Sequence, residues 1–89
     1  MTWKIEFDIK AAKELKKLNK ESQILINNYL KDKILKCNHP KDLGKPMKYG
    51  YAGLWRYRVG KYRMICNIEE KILVVLILRI AIRDQIYTL

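Results

Sequence analysis

Three arginines, Arg56, Arg58 and Arg63, lie within eleven residues of the segment LWRYRVGKYRM, at positions 54–64. Arginine presents a planar fork of donors that matches phosphate, and its side chain stays charged at any relevant pH. Fixed cations of this kind stabilise the charge that develops when RNA is cleaved by its own 2′-hydroxyl. The alternative is a solvated sheet face, where cations protect a strand from aggregation. The segment therefore suggests an anion site suited to phosphoryl chemistry.

Alternation of residue types indicates how these cations are held. Residues 54–59 form one predicted strand and residues from Tyr62 onward form the next, joined at Gly60-Lys61 by a type II′ turn. A strand repeats every two residues, so the arginines point to one side and the aromatic residues between them to the other. The arginines of adjacent strands are then within reach of each other. No acidic residue precedes Glu69 on these strands to neutralise them.

The remaining elements follow from periodicity. We predict a half-buried strand at 2–7, helices at 9–18 and 20–37, a loop at 38–46 that contains two prolines, and a central covered strand at 71–78. Asp8 and Asn19 are the predicted helix caps, and the two helices form an antiparallel hairpin. Residues 1–89 are thus expected to form one two-layer α+β domain, an N-terminal strand and helical hairpin followed by three to four antiparallel strands. The helices cover one sheet face and leave the other partly open.

Composition narrows the function classes. The formal net charge of +10, from 19 Lys and Arg against 9 Asp and Glu, favours a polyanionic partner. His39 is the only histidine, and no cluster has the spacing of metal ligands, so we expect no metal and no cofactor. No secretory signal or membrane-length apolar run is present, which predicts a cytoplasmic protein. The catalytic tools that remain are arginine, lysine and tyrosine.

Three stretches resemble the RelE/ParE toxin superfamily: AGLWRYRVGKYRMI at 52–65, GKPMK at 44–48 and LRIAIRDQIY at 78–87. The resemblance implies the toxin of a type II toxin–antitoxin pair. RelE-like members are mRNA interferases that cut mRNA in the ribosomal A site, and ParE-like members poison DNA gyrase. A ribosome-dependent, metal-independent endoribonuclease is the first expectation, and a gyrase inhibitor without nuclease activity is the alternative. A third alternative is a non-toxic partner that only titrates an antitoxin.

The resemblance also implies the catalytic residues, which are Arg56, Arg58, Arg63, Arg83 and Tyr87. Many RelE-like proteins carry lysines where this chain has the first two arginines. Arginine does not give up its proton, so charge stabilisation is the role expected there. Many relatives also have a Gly-His pair where this chain has Ala81-Ile82. Tyr87 is then the remaining candidate for proton transfer, and a positive surrounding lowers a tyrosine pKa. The alternative for Tyr87 is an aromatic side chain that only packs on the sheet.

The implied partners are the ribosome, mRNA and a RelB-like antitoxin that is acidic or partly disordered. Cations expected to touch RNA phosphates lie along the first helix and in the hairpin turn: Lys10, Lys13, Lys16, Lys17 and Lys61. Contacts of this kind make binding depend strongly on salt. The alternative for the helix lysines is a solvated helix face.

Overall fold

The computed structural model describes residues 2–82, apart from the side chain of Tyr49. The elements are β1 (Lys4–Phe7), α1 (Ile9–Lys17), α2 (Lys20–Tyr29), β2 (Lys45–Pro46), β3 (Trp55–Val59), β4 (Tyr62–Glu69) and β5 (Val74–Ile82). A π-helical turn (Leu30–Ile34) extends α2, and short 3-10 turns occupy Pro40–Leu43 and Tyr49–Tyr51. The five strands form one sheet in the order β1-β5-β4-β3-β2. The predicted two-layer α+β architecture is confirmed.

The sheet differs from the prediction in being mixed. β1 pairs with β5 in parallel, whereas the other neighbouring strands are antiparallel. The apolar residues of β5 are covered because the strand lies between β1 and β4. The short strand β2 falls inside the predicted loop and contains Pro46, which lacks a backbone N–H and is therefore suited to a sheet edge.

Both helices begin at the predicted caps. The Asp8 carboxylate accepts a hydrogen bond from the Lys10 backbone N–H, and the Asn19 side chain accepts one from Ser22. The second helix was expected to remain regular to residue 37, but its α-helical part ends at Tyr29. In the wider π-helical turn that follows, Leu30 and Ile34 are both buried against the sheet.

Apolar side chains pack on both faces of the sheet. The main core lies between the helices and the sheet and includes Ile26, Tyr57 and Met64. A smaller cluster on the opposite face joins Ile65 of β4 to Met47 in the segment before β3. The second face is therefore less open than the sequence suggested. Within residues 2–82, no helix combines the length and the apolar character needed to cross a membrane.

Two irregularities shape the strands that carry the arginines. Val59 pairs with Tyr62 across a two-residue turn in which Gly60 has a φ of 57°. Lys61 does not take a positive φ, which agrees with the predicted type II′ turn. Between β4 and β5 the register shifts: Ile65 pairs with Arg79, but Cys66 pairs with Ile77. Leu78 is thus the extra residue of a β-bulge.

Candidate nucleic-acid interface

The strand register places the three hairpin arginines on one face of the sheet. Arg58 lies directly opposite Arg63 in the β3–β4 pair, and Arg56 precedes Arg58 by two residues on the same side of β3. Lys45 of β2 lies opposite Arg56 and adds a fourth cation. Directly paired Cα atoms in antiparallel strands are about 4.5–5.5 Å apart, so these cations start from closely spaced backbone positions. The prediction that the arginines share a face is confirmed.

The three arginines differ in depth. The side chain of Arg58 is exposed, and that of Arg56 is half-buried. Arg63 is only 6% exposed, although the sequence predicted that this sheet face is partly open, and it donates from Nη1 to the Tyr62 carbonyl oxygen at 3.2 Å. Its strand, β4, has neighbours on both sides, whereas β3 has β2 beside it over only two residues. Side-chain exposure therefore decreases from Arg58 through Arg56 to Arg63.

A cluster of apolar side chains lies next to the arginines on the same face of the sheet. Ile65 lies opposite Arg56 and is buried with Met47, while Tyr51 and Leu54 pack against the same cluster. Strand alternation alone places Ile65 on the side of Arg63, but it does not reveal that another segment covers it. The available signal was an apolar residue on a side otherwise occupied by cations and asparagine.

Two tyrosines of the hairpin strands point into the core between the helices and the sheet, away from the arginine face. The Tyr57 hydroxyl donates to the Pro40 carbonyl oxygen at 2.6 Å, and the Tyr62 hydroxyl donates to Ser22 Oγ at 2.8 Å. Burial raises the pKa of Tyr57 and also that of Tyr29. Arg83 and Tyr87 lie outside the described residues, so their predicted catalytic roles stay predictions.

Comparison with known proteins identifies the family. The model of the ParE toxin family of type II toxin–antitoxin systems matches residues 5–87. The chain belongs to this family, within the RelE/ParE superfamily. At the level of the superfamily, the protein is therefore the toxin of a type II toxin–antitoxin system. Among curated proteins, none matches the toxin significantly.

Solved structures support the same assignment. A chain of the RelBE2 toxin–antitoxin complex from Mycobacterium tuberculosis matches with a TM-score of 0.84 and 25% identity. The match covers 93% of the present chain and 100% of the M. tuberculosis chain. The RelE–RelB complex from Pyrococcus horikoshii matches with a TM-score of 0.72 and 25% identity, covering 96% and 99%. Isolated RelE from E. coli shares only the fold, with a TM-score of 0.71, 17% identity and coverage of 97% and 92%.

The predicted RNA-contacting lysines are accessible, but the four on α1 lie apart from the arginine face, whereas Lys61 lies next to it in the hairpin turn. All five side chains are solvent-accessible, four of them on α1: Lys10, Lys13, Lys16 and Lys17. In the toxin, α1 packs on the sheet face that carries Tyr57 and Met64, whereas the arginines occupy the opposite face. Lys61 lies in the turn between the two arginine strands, with Nζ 5.5 Å from the Tyr62 ring centroid. The lysine row and the arginine cluster are thus two separate basic surfaces.

The described residues include no candidate metal centre. Over residues 2–82, no group of three or more His, Cys, Asp or Glu side chains is placed to hold a metal ion. His39 is exposed and lines a pocket with Trp3 and Asp42, away from the arginine face.

Proposed function

We propose that the toxin is a ribosome-dependent, metal-independent endoribonuclease that cleaves mRNA in the A site through attack of a 2′-hydroxyl on the adjacent phosphate. The supporting observation is the register that sets Arg58 opposite Arg63, with Arg56 beside them on the same face. In this mechanism the attacking 2′-oxygen forms a bond to phosphorus and the 5′-oxygen leaves. The negative charge of the phosphorane between these steps is the target of the arginines.

The graded depth of the arginines suits this role. Arg58 is exposed and is available to a phosphate arriving from solvent. Arg63 is held with little exposure and bonded to a backbone carbonyl, so little of its orientation has to be fixed during the reaction. Preorganised donors are more effective in surroundings of lower dielectric constant than in water. Removal of one such donor typically lowers a rate by ~10²–10³.

Gyrase inhibition is the second candidate, because the matching family model is that of ParE toxins. This hypothesis requires a protein-binding surface and no reaction at a phosphate. Under it, replacement of Arg58 changes inhibition only as far as that side chain touches gyrase. The two candidates therefore differ in whether mRNA is broken when growth stops.

The partners proposed here are the ribosome, mRNA and an acidic, RelB-like antitoxin. The net charge of +10 attracts both rRNA and an acidic chain. Cytoplasmic localisation follows from the proposed target, because translating ribosomes are found there.

The test is 5′-end mapping of cellular mRNA after induction of the toxin. We expect new 5′ ends within A-site codons for the wild type and their loss for Arg58→Ala. Lys71→Ala is the matched control, because it removes an exposed cation from the β4–β5 turn. Arg63→Lys is preferred to Arg63→Ala, since the buried position makes truncation a risk to folding. Intact mRNA in growth-arrested cells with trapped gyrase would refute the nuclease proposal and support the second candidate.

A further inference from the structure

One carboxylate connects α1 to the irregular part of β5. Glu14 Oε1 accepts from Arg79 Nε at 3.2 Å, and Oε2 accepts from Arg79 Nη2 at 3.1 Å. Oε1 also accepts the backbone N–H of Ile80 at 2.9 Å. The side chains of Glu14 and Arg79 are only 22% and 24% exposed, respectively. A two-point Arg–carboxylate contact fixes orientation as well as distance.

These contacts fall on the β-bulge. The register shift leaves Leu78 as an extra residue, and Ile80 then returns to pair with Met64 on the core face. Ala81 is consequently set opposite Arg63 on the arginine face. Because side chains alternate, a slip of one residue after the bulge would move Ala81 to the core face. The identity of the residues that meet Arg63 thus depends on where the bulge sits.

We propose that Glu14 is a positioning residue that holds the β4–β5 bulge in place and thereby sets the terminal part of β5 beside Arg63. Its carboxylate contacts both the side chain of Arg79, next to the bulge, and the backbone N–H that follows. Glu14 lies on the helix layer and acts on the arginine face through β5. The inference deepens the nuclease proposal and rests on it for its effect on the reaction.

A second consequence concerns Arg79. Its guanidinium is bound by a carboxylate from the helix layer, so its charge is partly compensated within the toxin. We therefore assign Arg79 to the support of the bulge and not to the binding of RNA. In sequence, a run of arginines at positions 56, 58, 63, 79 and 83 looks like one set. In the structure the Arg79 guanidinium contacts a carboxylate of the helix layer, although its Cα pairs with Ile65 of the arginine face.

The experiment compares Glu14→Gln with the wild type by amide hydrogen exchange and by single-turnover cleavage on programmed ribosomes. Glutamine keeps the length of the side chain but loses the charge and one of the two acceptors. We expect the protection of the Ile80 N–H to fall about tenfold, since glutamine offers a neutral acceptor in place of a charged one. We expect the cleavage rate constant to fall up to ~10²-fold, as for a misplaced reacting group, with little change in ribosome affinity.

Two controls separate positioning from general loss of stability. Glu21→Gln removes an exposed carboxylate from α2 and should leave both measurements unchanged. Ile68→Val lowers stability modestly by removing one methylene from a core side chain of β4, outside the bulge. It should reproduce any effect of instability on cleavage without the selective loss of protection at Ile80.

Each outcome decides the proposal. Loss of protection at Ile80 together with slower cleavage supports it. Unchanged protection, or reduced protection with unchanged cleavage, overturns it. If the wild type does not cleave ribosome-bound mRNA, the nuclease proposal fails separately. Growth arrest on induction then replaces cleavage as the readout, and a Glu14→Gln toxin that arrests growth as the wild type does would overturn the positioning role.

Discussion

Replacement of Tyr57 by phenylalanine tests how firmly the strand that carries Arg56 and Arg58 is attached to the core. Tyr57 lies between these arginines and points to the opposite face, where its ring is fully buried. Its hydroxyl donates to the Pro40 carbonyl oxygen at 2.6 Å. Phenylalanine fills nearly the same space but leaves that carbonyl without this donor. The change therefore isolates one buried hydrogen bond behind the arginine face.

The expected cost follows from the burial of both partners. A buried acceptor that loses its donor destabilises the fold by about 1–3 kcal/mol. In a domain of this size, about 1 kcal/mol corresponds to a change in melting temperature of about 4–8 °C. The Tyr57→Phe variant should therefore melt at least about 4 °C below the wild type at pH 7.

The difference between the two proteins also depends on pH. Burial raises the pKa of Tyr57 in the folded state above the unfolded value of about 10. The neutral hydroxyl thus favours the fold below pH 10, and this contribution is lost as the pH rises from about 10 toward the folded-state pKa. Phenylalanine has no such group, so the stability gap should narrow by about 1.4 kcal/mol per pH unit above pH 10. The many lysines titrate in both proteins and cancel in the comparison.

The assay is urea-induced unfolding of both proteins between pH 7 and pH 11, with the free energy of unfolding compared at each pH. Equal stability at pH 7 would show that the hydroxyl contributes nothing through Pro40. A gap that stays constant up to pH 11 would contradict the inference that the fold favours the neutral form of Tyr57.

Three further predictions concern packing, a second buried hydrogen bond and the lysine row. Gly44→Ala should destabilise the fold by about 1–3 kcal/mol, because the added Cβ would lie 3.1 Å from the Tyr57 ring. Gly50→Ala should leave stability unchanged, because a Cβ there meets no atom within 4 Å. Thermal unfolding of both variants checks this prediction. Ser22→Ala should cost about 1–3 kcal/mol in urea unfolding, since the buried Tyr62 hydroxyl loses its acceptor at 2.8 Å. The lysine row on α1 is tested by replacing Lys10, Lys13, Lys16 and Lys17 with glutamine. The slope of log affinity for the ribosome against log salt concentration should become shallower by about 0.7–0.9 for each phosphate that is no longer neutralised. An unchanged slope would show that the row is a solvated helix face.

The side on which each hairpin residue lies was predictable from the sequence. Strict alternation in β3 and at the start of β4, together with a glycine-first turn, determined that Arg58 and Arg63 face the same way. The depth of Arg63 was not predictable in this manner. Alternation gives the side of a sheet, while the burial of Arg63 also depends on the strands that lie on both sides of β4.

The β4–β5 bulge could not be predicted from the sequence, for a different reason. Residues 72–78 are apolar throughout, so the position of an extra residue leaves no trace in their pattern. The partner of Glu14 was hidden as well, because its local candidates on α1 were Lys10 and Lys17, three or four residues away. The observed partner, Arg79, is 65 residues away and meets Glu14 only when α1 packs on β5.

Cleavage of mRNA on purified, programmed ribosomes decides whether the arginine face performs the proposed reaction. Wild-type toxin, Arg58→Ala and Lys71→Ala should be compared at saturating toxin, with free mRNA as a separate substrate. We predict that the wild type and Lys71→Ala cut the A-site codon at equal rates, and that Arg58→Ala is slower by ~10²–10³. Uncut mRNA on ribosomes that bind folded toxin, or equal rates for wild type and Arg58→Ala, would contradict the proposal.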